Sequence, residues 1–241
     1  MTLAQRLARR LGYDLIPRAK ARLLQAQLIA VLERFGVSCV IDVGANAGQY
    51  GLTLRELGYQ GRLVSFEPQA AAHRQLEREA ASDPRWQVAP RMALGERDGE
   101  ALIEVSAESD MSSLLPQSAL LRQVSPSSRI VAREAVRLAR LDGVIGPYLK
   151  PDDAIFLKID TQGYEAQVLA GGSLLLPRLA GVQLEMPLVR CYDGERDFRD
   201  LIDDLTAAGF SPFLFMPGYF ERKLARQLQV DGVFMRAGDE R

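Results

Sequence analysis

The sequence predicts an α/β protein whose mainly parallel β-sheet is covered by helices on both faces. Short apolar runs rich in β-branched residues, such as CVIDV at Cys39–Val43, alternate with helical patterns along most of the chain. A glycine-rich turn follows this first run, which indicates a strand that passes directly into a helix. The chain has 241 residues, 47% of them hydrophobic and 25% charged, so it can bury a full core without disulfides or metal ions.

The first 35 residues are interpreted as an N-terminal helical extension, and residues 36–241 as the main domain. The extension breaks near Pro17, and its second half places apolar residues close to helical spacing. This stripe consists of Leu23, Leu24, Gln27, Leu28, Val31 and Leu32. Basic residues dominate its beginning, at Arg6, Arg9, Arg10, Arg18, Lys20 and Arg22. They predict either a solvated charged face or peripheral contact with an anionic membrane surface or an acidic partner.

The periodicity of the remaining chain predicts the other elements in order. Helices are expected at 48–57, 69–81, 164–169 and 198–208. Strands are expected at 39–43, 62–66, 86–94, 101–105, 154–159, 182–185, 212–216 and 230–236. The last two strands are candidates for an antiparallel pair at one sheet edge. The Ser-rich stretch 106–135 predicts no regular element, and we expect a substrate loop or lid there.

Composition excludes several classes of protein. Thirty basic and 31 acidic residues give a formal charge of −1, which does not favour nucleic acid as a partner. Two cysteines, Cys39 and Cys191, form neither a disulfide framework nor a metal-ligand cluster. No stretch of 18 apolar residues predicts a transmembrane span, and the N-terminus does not resemble a secretory signal. These features favour a cytoplasmic location with a small-molecule or glycan partner.

The most informative motif is VIDVGANAGQY at 40–50. Its strand–turn–helix pattern places free backbone amides and a helix N-terminus at the carboxyl edge of the sheet. We expect Gly44 and Gly48 to let a ligand approach the backbone closely. The second strand ends at Glu67, where a carboxylate can accept hydrogen bonds from both hydroxyls of a ribose. Together these features predict an adenosine-binding site.

The turn favours S-adenosylmethionine over a dinucleotide. In a dinucleotide fingerprint, glycines would occupy the positions of Asn46 and Gln49. Asp42 precedes the turn, where a carboxylate would repel a pyrophosphate but attract a cationic sulfonium amino acid. We therefore assign Asp42, Gly44, Asn46, Gly48 and Glu67 to cofactor binding.

Carboxylates at two later strand tips are the candidate catalytic groups. Lys158 and Asp160 share one face of a strand because side chains alternate with period two, and Asp160 lies at the tip. Asp160 is predicted to be the general base or the group that orients the acceptor, and Glu185 to face the same cleft. Lys158 is predicted to hold Asp160 or steady a developing oxyanion, the alternative being a structural ion pair with Asp160 or Glu185.

Other polar residues keep two interpretations each. Glu165 opens a predicted helix, so its carboxylate is expected either to cap that helix or to bind the acceptor. No metal is assigned, although Asp160, Glu165 and Glu185 offer the oxygen ligands that Mg²⁺ or Ca²⁺ prefers. The single histidine, His73, is expected to be an exposed helix residue.

The sequence resembles the FkbM-type methyltransferases over about residues 36–236. The segments that carry the resemblance are VIDVGANAGQY, FEP at 66–68, MALGERDGEALIEV at 92–105, MSSL at 111–114, RLARLDGVI at 137–145, FLKIDTQGYEAQVLAGG at 156–172, VQLEMPLVRCYDG at 182–194 and the closing DGVFMR. The resemblance implies a Rossmann-like class I methyltransferase fold with a seven-stranded sheet. It also implies O-methylation, often of sugar hydroxyls. Residues 106–135 match only at MSSL, which leaves the acceptor unassigned.

Five further residues are predicted to line the cofactor and acceptor sites. The resemblance places Ala93 beside the adenine of the cofactor. We add Tyr50 to the cofactor site, and Ser112, Ser113 and Tyr192 to the acceptor site, with packing as the alternative for each. The main prediction is an S-adenosylmethionine-dependent O-methyltransferase. A dinucleotide oxidoreductase, a non-catalytic cofactor-binding module and an N-methyltransferase are the alternatives.

Overall fold

A computed structural model describes residues 23–236 of the chain. The helices are α1 (Leu23–Arg34), α2 (Gln49–Glu56), α3 (Ala70–Ala80), α4 (Ala119–Val124), α5 (Leu141–Val144), α6 (Glu165–Gly171) and α7 (Phe198–Ala207). The first six strands are β1 (Cys39–Val43), β2 (Arg62–Phe66), β3 (Trp86–Val88), β4 (Ala93–Leu94), β5 (Gly99–Ser106) and β6 (Ile130–Ala139). The others are β7 (Ile155–Ile159), β8 (Leu179–Pro187), β9 (Phe210–Pro217), β10 (Phe220–Glu221), β11 (Arg226–Gln227) and β12 (Gln229–Arg236). The break predicted near Pro17 and the basic first half of the extension lie outside the described residues.

A seven-stranded sheet forms the centre of the molecule, in the order β3-β2-β1-β7-β8-β12-β9. From β3 to β8 in this order, each strand runs parallel to its neighbour. In contrast, β12 runs antiparallel to both β8 and β9. The predicted mainly parallel sheet and the antiparallel pair at one edge are therefore confirmed. Because β1 and β7 are adjacent, the residues that follow them meet at one point of the sheet's carboxyl edge.

Apolar side chains cover both faces of this sheet. Ile41 and Leu157 pack on one face in a cluster with helices α6 and α7, and Val40 and Phe156 pack on the other. The second cluster includes Leu28 and other buried residues of α1, so this helix contributes to the core. Strands buried on both faces are nearly continuously apolar, which explains why runs such as CVIDV are recognisable in the sequence.

A second sheet of three strands, β4-β6-β5, corrects part of the prediction. The third predicted strand, 86–94, divides into β3 in the central sheet and β4, which pairs with β6 instead. The stretch 106–135 is not irregular throughout, because it contains α4 and the first part of β6. The eight-residue β5 and the ten-residue β6 form a long antiparallel pair beside the main sheet.

The prediction that His73 is exposed was wrong. Its side chain is buried on α3, and its Nε2 lies 2.8 Å from the carbonyl oxygen of Ala89. The buried imidazole thus forms a hydrogen bond with a backbone carbonyl of the segment that follows β3. The helix face that contains His73 also includes the buried Ala72 and Leu76, so the residue belongs to the packed stripe.

Candidate active site

Two cavities open at the carboxyl edge of the sheet and share the turn after β1. Gly44 and Asn46 from this turn line both cavities, as does Asp160 from the tip of β7. The first cavity extends towards β2, and the second, which is the larger of the two, extends towards α1. Asp160 therefore lies where a ligand in one cavity would meet a ligand in the other.

Glu67 forms a polar wall of the first cavity. Its Oε2 accepts a hydrogen bond from the Asn46 amide at 2.7 Å, and its Oε1 accepts one from the Gln69 amide at 2.8 Å. Each carboxylate oxygen has a second lone pair, so two acceptor positions remain for a diol. Burial raises the pKa of Glu67 to about 7, against the opposing effect of the two amides.

The other walls of this cavity are mainly apolar. Phe66, Met92, Leu94 and Ile103 contribute to them. A flat aromatic base fits such a slot, with a ribose next to Glu67. The residues present thus suit an adenosine group, and Ala93 lines the same cavity, as the resemblance implied.

At both glycines of the turn, the surrounding chain leaves little or no room for a side chain. A Cβ on Gly44 would lie 1.9 Å from the backbone oxygen of Asp160, and the residue has φ +75°. A Cβ on Gly48 would come within 3.2 Å of Leu76 and Trp86, and φ there is +93°. The expectation of close ligand approach is corrected for Gly48, which lines neither cavity. Gly44 remains part of both walls, but its lack of a side chain is required by the neighbouring strand.

The segment after β5 closes the first cavity. Asn46 Nδ2 donates to Ser109 Oγ at 3.1 Å, which ties the turn to this segment. Ser112 and Ser113 line the cavity, but both hydroxyls already have protein partners. Ser112 donates to Gln69 Oε1 at 3.1 Å, and Ser113 donates to the Gln162 carbonyl at 2.7 Å. The structure therefore places these two serines beside the predicted adenosine site, and their main contacts are structural.

A buried ion pair lies behind the turn. Lys158 Nζ is 2.9 Å from Asp42 Oδ1 and 3.6 Å from Asp160 Oδ2, and it also donates to the Gly44 carbonyl at 3.3 Å. Burial opposes the charged form of Lys158, but the Asp42 and Asp160 carboxylates outweigh it and raise the pKa of Lys158. Asp42 is only 1% exposed and lines neither cavity. The structure therefore pairs Asp42 with Lys158, and its contact with the cofactor stays a prediction.

Gln162 joins the two candidate catalytic carboxylates. Its Nε2 donates to Asp160 Oδ1 at 2.9 Å and to Glu185 Oε2 at 2.7 Å. Its Oε1 accepts from the Tyr192 hydroxyl at 2.8 Å, so the amide is fixed in one orientation. Burial raises the pKa of Glu185 well above its usual range, and the nearby Asp160 charge adds to the effect. Asp160 alone of the two lines the cavities, and 36% of its side chain is exposed.

Tyr50 lies in the second cavity rather than the first. Its hydroxyl donates to Gln183 Oε1 at 3.0 Å, and Gln183 Nε2 donates to Asp231 Oδ1 at 3.3 Å. All three residues line this cavity, and Lys158 Nζ lies 5.2 Å from the Tyr50 ring centroid. Burial raises the pKa of Asp231 to about 6, with a further contribution from Asp160.

Two predicted acceptor-binding residues are instead structural. Glu165 is buried, and its Oε1 accepts from the Thr161 amide at 2.8 Å and the Gly163 amide at 3.2 Å. These bonds hold the turn between β7 and α6, so Glu165 stabilises this turn from within the protein. Tyr192 is fully buried and donates its hydroxyl within the protein. Within residues 23–236 no three His, Cys, Asp or Glu side chains are grouped in a way that could hold a metal ion.

Sequence reasoning missed Gln69, Gln162, Gln183 and Asp231. Each of the three glutamines hydrogen-bonds a residue at least 23 positions away in sequence, which no local pattern reveals. Asp231 stands within the largely apolar segment VDGVFMR, and a carboxylate in such a strand was the one available signal.

The sheet order, the acid at the end of β2 and the cavity shared by β1 and β7 define a class I methyltransferase that uses S-adenosylmethionine. Residues 42–212 match the sequence model of the methyltransferase FkbM domain. The chain therefore belongs to the FkbM methyltransferase family, and the dinucleotide alternative is rejected. No curated protein matches the chain.

Solved structures with a similar fold include several methyltransferases. The methyltransferase domain of bacterial CtHen1 is 14% identical to this chain. The match covers 89% of this chain and 98% of that domain, with a TM-score of 0.45. Magnesium protoporphyrin IX methyltransferase from Synechocystis PCC 6803, solved with bound S-adenosylmethionine, is 12% identical to this chain. The match covers 98% of this chain and 92% of that enzyme, with a TM-score of 0.46. A putative RNA methyltransferase from Pyrococcus horikoshii is 12% identical and covers 88% and 82% of the two chains, with a TM-score of 0.44. In the part of the chain that the structure describes, no helix combines the length and apolarity that crossing a bilayer requires.

Proposed function

We propose that this methyltransferase methylates a hydroxyl group, on a sugar, glycan or related natural product, in the cytoplasm. The observation that carries the proposal is the position of Asp160. It is a partly exposed carboxylate at the junction of two cavities, one of which suits adenosine. An alcohol is a weak nucleophile until its proton is removed, and a positioned carboxylate is a suitable base.

The residues around Asp160 support this role. Lys158 and Gln162 approach different oxygens of the carboxylate, at 3.6 Å and 2.9 Å, and thereby fix its orientation. Glu185, which accepts a hydrogen bond from the same Gln162 amide, lines neither cavity, so we assign it to positioning Gln162 rather than to contacting the acceptor.

The cofactor site is proposed to use Glu67 for the ribose hydroxyls, and Asn46, Ala93 and the apolar residues of the first cavity for the adenine side. S-adenosylmethionine, when bound, would supply a methyl group from its sulfonium centre. Once the methyl group is transferred, the sulfur is left as a neutral thioether. The chain's own task is to remove the acceptor proton at the Asp160 carboxylate as the new C–O bond forms. The proton then passes from Asp160 to solvent at the exposed edge of the cleft.

A mass-spectrometric comparison tests the proposal. Oligosaccharides and polar metabolites from cells with and without the gene would be compared for a mass difference of one CH₂ unit. We expect a hydroxyl-methylated species that disappears with the gene and returns with the wild-type chain but not with Asp160→Asn. A methylated product whose methyl group lies on nitrogen would favour the N-methyltransferase alternative. Tight S-adenosylhomocysteine binding with no methylated product would favour the non-catalytic module.

A further inference from the structure

We propose that the second cavity receives the acceptor and selects an uncharged polyol, excluding acceptors that carry phosphate, sulfate or carboxylate groups. This inference rests on the proposed function and specifies its substrate class. It is drawn from the charges that line the cavity and from the neutral groups between them.

Among the described residues that line this cavity, carboxylates outnumber cations. Asp110, Asp160 and Asp231 line the cavity, and Lys158 is the one lysine or arginine among the lining residues that the structure describes. The Lys158 charge is already matched, because Asp42 lies 2.9 Å from its Nζ. The bound methyl donor adds one net positive charge, from its sulfonium, ammonium and carboxylate. The described lining therefore stays negative, and an anionic acceptor would meet like charges, which oppose its binding.

Neutral hydrogen-bonding groups and apolar surface complete the wall. Tyr50, Gln49 and Thr53 line it from α2, and Gln183 lines it from β8. Leu28, Leu57, Met216 and Pro217 add apolar surface. Carboxylates and amides accept hydrogen bonds from hydroxyl groups, and the apolar residues can pack against the C–H faces of a ring.

Asp231 is the residue assigned to this selectivity. It lies on β12 opposite Glu185, and its Oδ1 accepts from Gln183 at 3.3 Å. Its Oδ2 takes part in none of the hydrogen bonds among the described residues, and the residue is only partly buried. This oxygen is available to an acceptor hydroxyl and opposes an acceptor phosphate.

Fractionated cell extracts test the inference even while the acceptor is unidentified. Polar metabolites and oligosaccharides from cells that lack the gene would be separated by ion exchange into neutral, cationic and anionic fractions. Each fraction would be incubated with the full chain and S-adenosylmethionine labelled in the methyl group. We expect label in the neutral fraction, at least about tenfold above the other two. For Asp231→Asn we expect less label in the neutral fraction and a several-fold higher anionic-to-neutral ratio.

Asp152→Asn is the matched control, because Asp152 is exposed in the loop before β7, at the opposite edge of the sheet. Its ratio should equal that of the wild type. Label found mainly in the anionic or cationic fraction would overturn the inference while the methyltransferase function stands. An Asp231→Asn ratio equal to the control's would also overturn it. No label in any fraction, from protein that binds S-adenosylhomocysteine, would reject the inference together with the proposed function.

Discussion

Lys158 and Asp42 form an ion pair, 2.9 Å between Nζ and Oδ1, in which both side chains are at least 95% buried. The two residues are direct partners in the pairing of β7 with β1. The same ammonium contacts Asp160 and the Gly44 carbonyl. One buried charge thus links the strand that precedes the turn, the turn itself and the candidate base.

Breaking this pair from one side should be severe. We expect Lys158→Met to lower the free energy of unfolding by about 3–5 kcal/mol, because Asp42 would be left buried without its counterion. The Asp42→Val/Lys158→Met double variant should lose much less than the sum of the two single variants, since no uncompensated charge remains. Urea denaturation of the four proteins gives this comparison. Losses that simply add would show that the pair does not couple the two residues.

Glu67 should determine cofactor affinity. We expect Glu67→Gln to weaken S-adenosylhomocysteine binding by about 1.5–3 kcal/mol, the range for hydrogen bonds to a charged group. Isothermal titration calorimetry measures the change, and thermal unfolding shows whether the fold persists. Glu100→Gln, at an exposed position of β5, is the control and should bind as the wild type does. Equal affinity for the two variants would remove Glu67 from the ribose site.

Cofactor affinity should also depend on pH through Glu67. Burial raises the pKa of this carboxyl to about 7 in the folded protein, so it is largely protonated at pH 6 and largely ionised at pH 8. A ribose diol donates its hydrogen bonds best to the ionised form. Affinity for S-adenosylhomocysteine should therefore rise as pH increases from 6 to 8, and Glu67→Gln should abolish that rise. A rise of the same size in the variant would assign it to another group.

Asp160 should control the methyl-transfer rate rather than cofactor binding. We expect Asp160→Asn to lower the rate by roughly 10²–10⁴-fold, as for the loss of a general base, with S-adenosylhomocysteine affinity nearly retained. Labelled methyl transfer to the neutral fraction of a cell extract measures the rate. Asp203→Asn, an exposed substitution on α7, serves as the matched control. A rate for Asp160→Asn within a few-fold of this control would move the base role to another residue.

Much of the fold was predictable because its signals are local. Buried parallel strands such as CVIDV and IFLKI are apolar runs, and period-two alternation correctly placed Lys158 beside Asp160. The same reasoning missed Asp42 as a partner of Lys158, because that contact depends on β1 lying next to β7 in the sheet. Strand order is set by packing of the whole chain, and a local pattern does not contain it.

The site was only partly predictable for the same reason. Asp160 and Glu67 lie at strand tips, where a cleft is expected, and both line a cavity. Gln162 was missed because it is a polar residue in a turn with φ 55°, and its hub position depends on partners 23 and 30 residues away in sequence. For Tyr192 the sequence left cleft lining and packing equally open, and the structure buries the side chain completely.

Gly44 offers a test of how tightly the turn fits against β7. Gly44→Ala would place a Cβ 1.9 Å from the Asp160 carbonyl oxygen at φ +75°, whereas Gly36→Ala meets nothing within 4 Å at φ +59°. Both variants bear the cost of a left-handed alanine, about 1–2 kcal/mol. Only Gly44→Ala adds overpacking of about 1–3 kcal/mol or more. Urea denaturation should therefore give Gly44→Ala a clearly lower free energy of unfolding than Gly36→Ala. Equal free energies would show that the turn can shift away from the neighbouring strand at no cost.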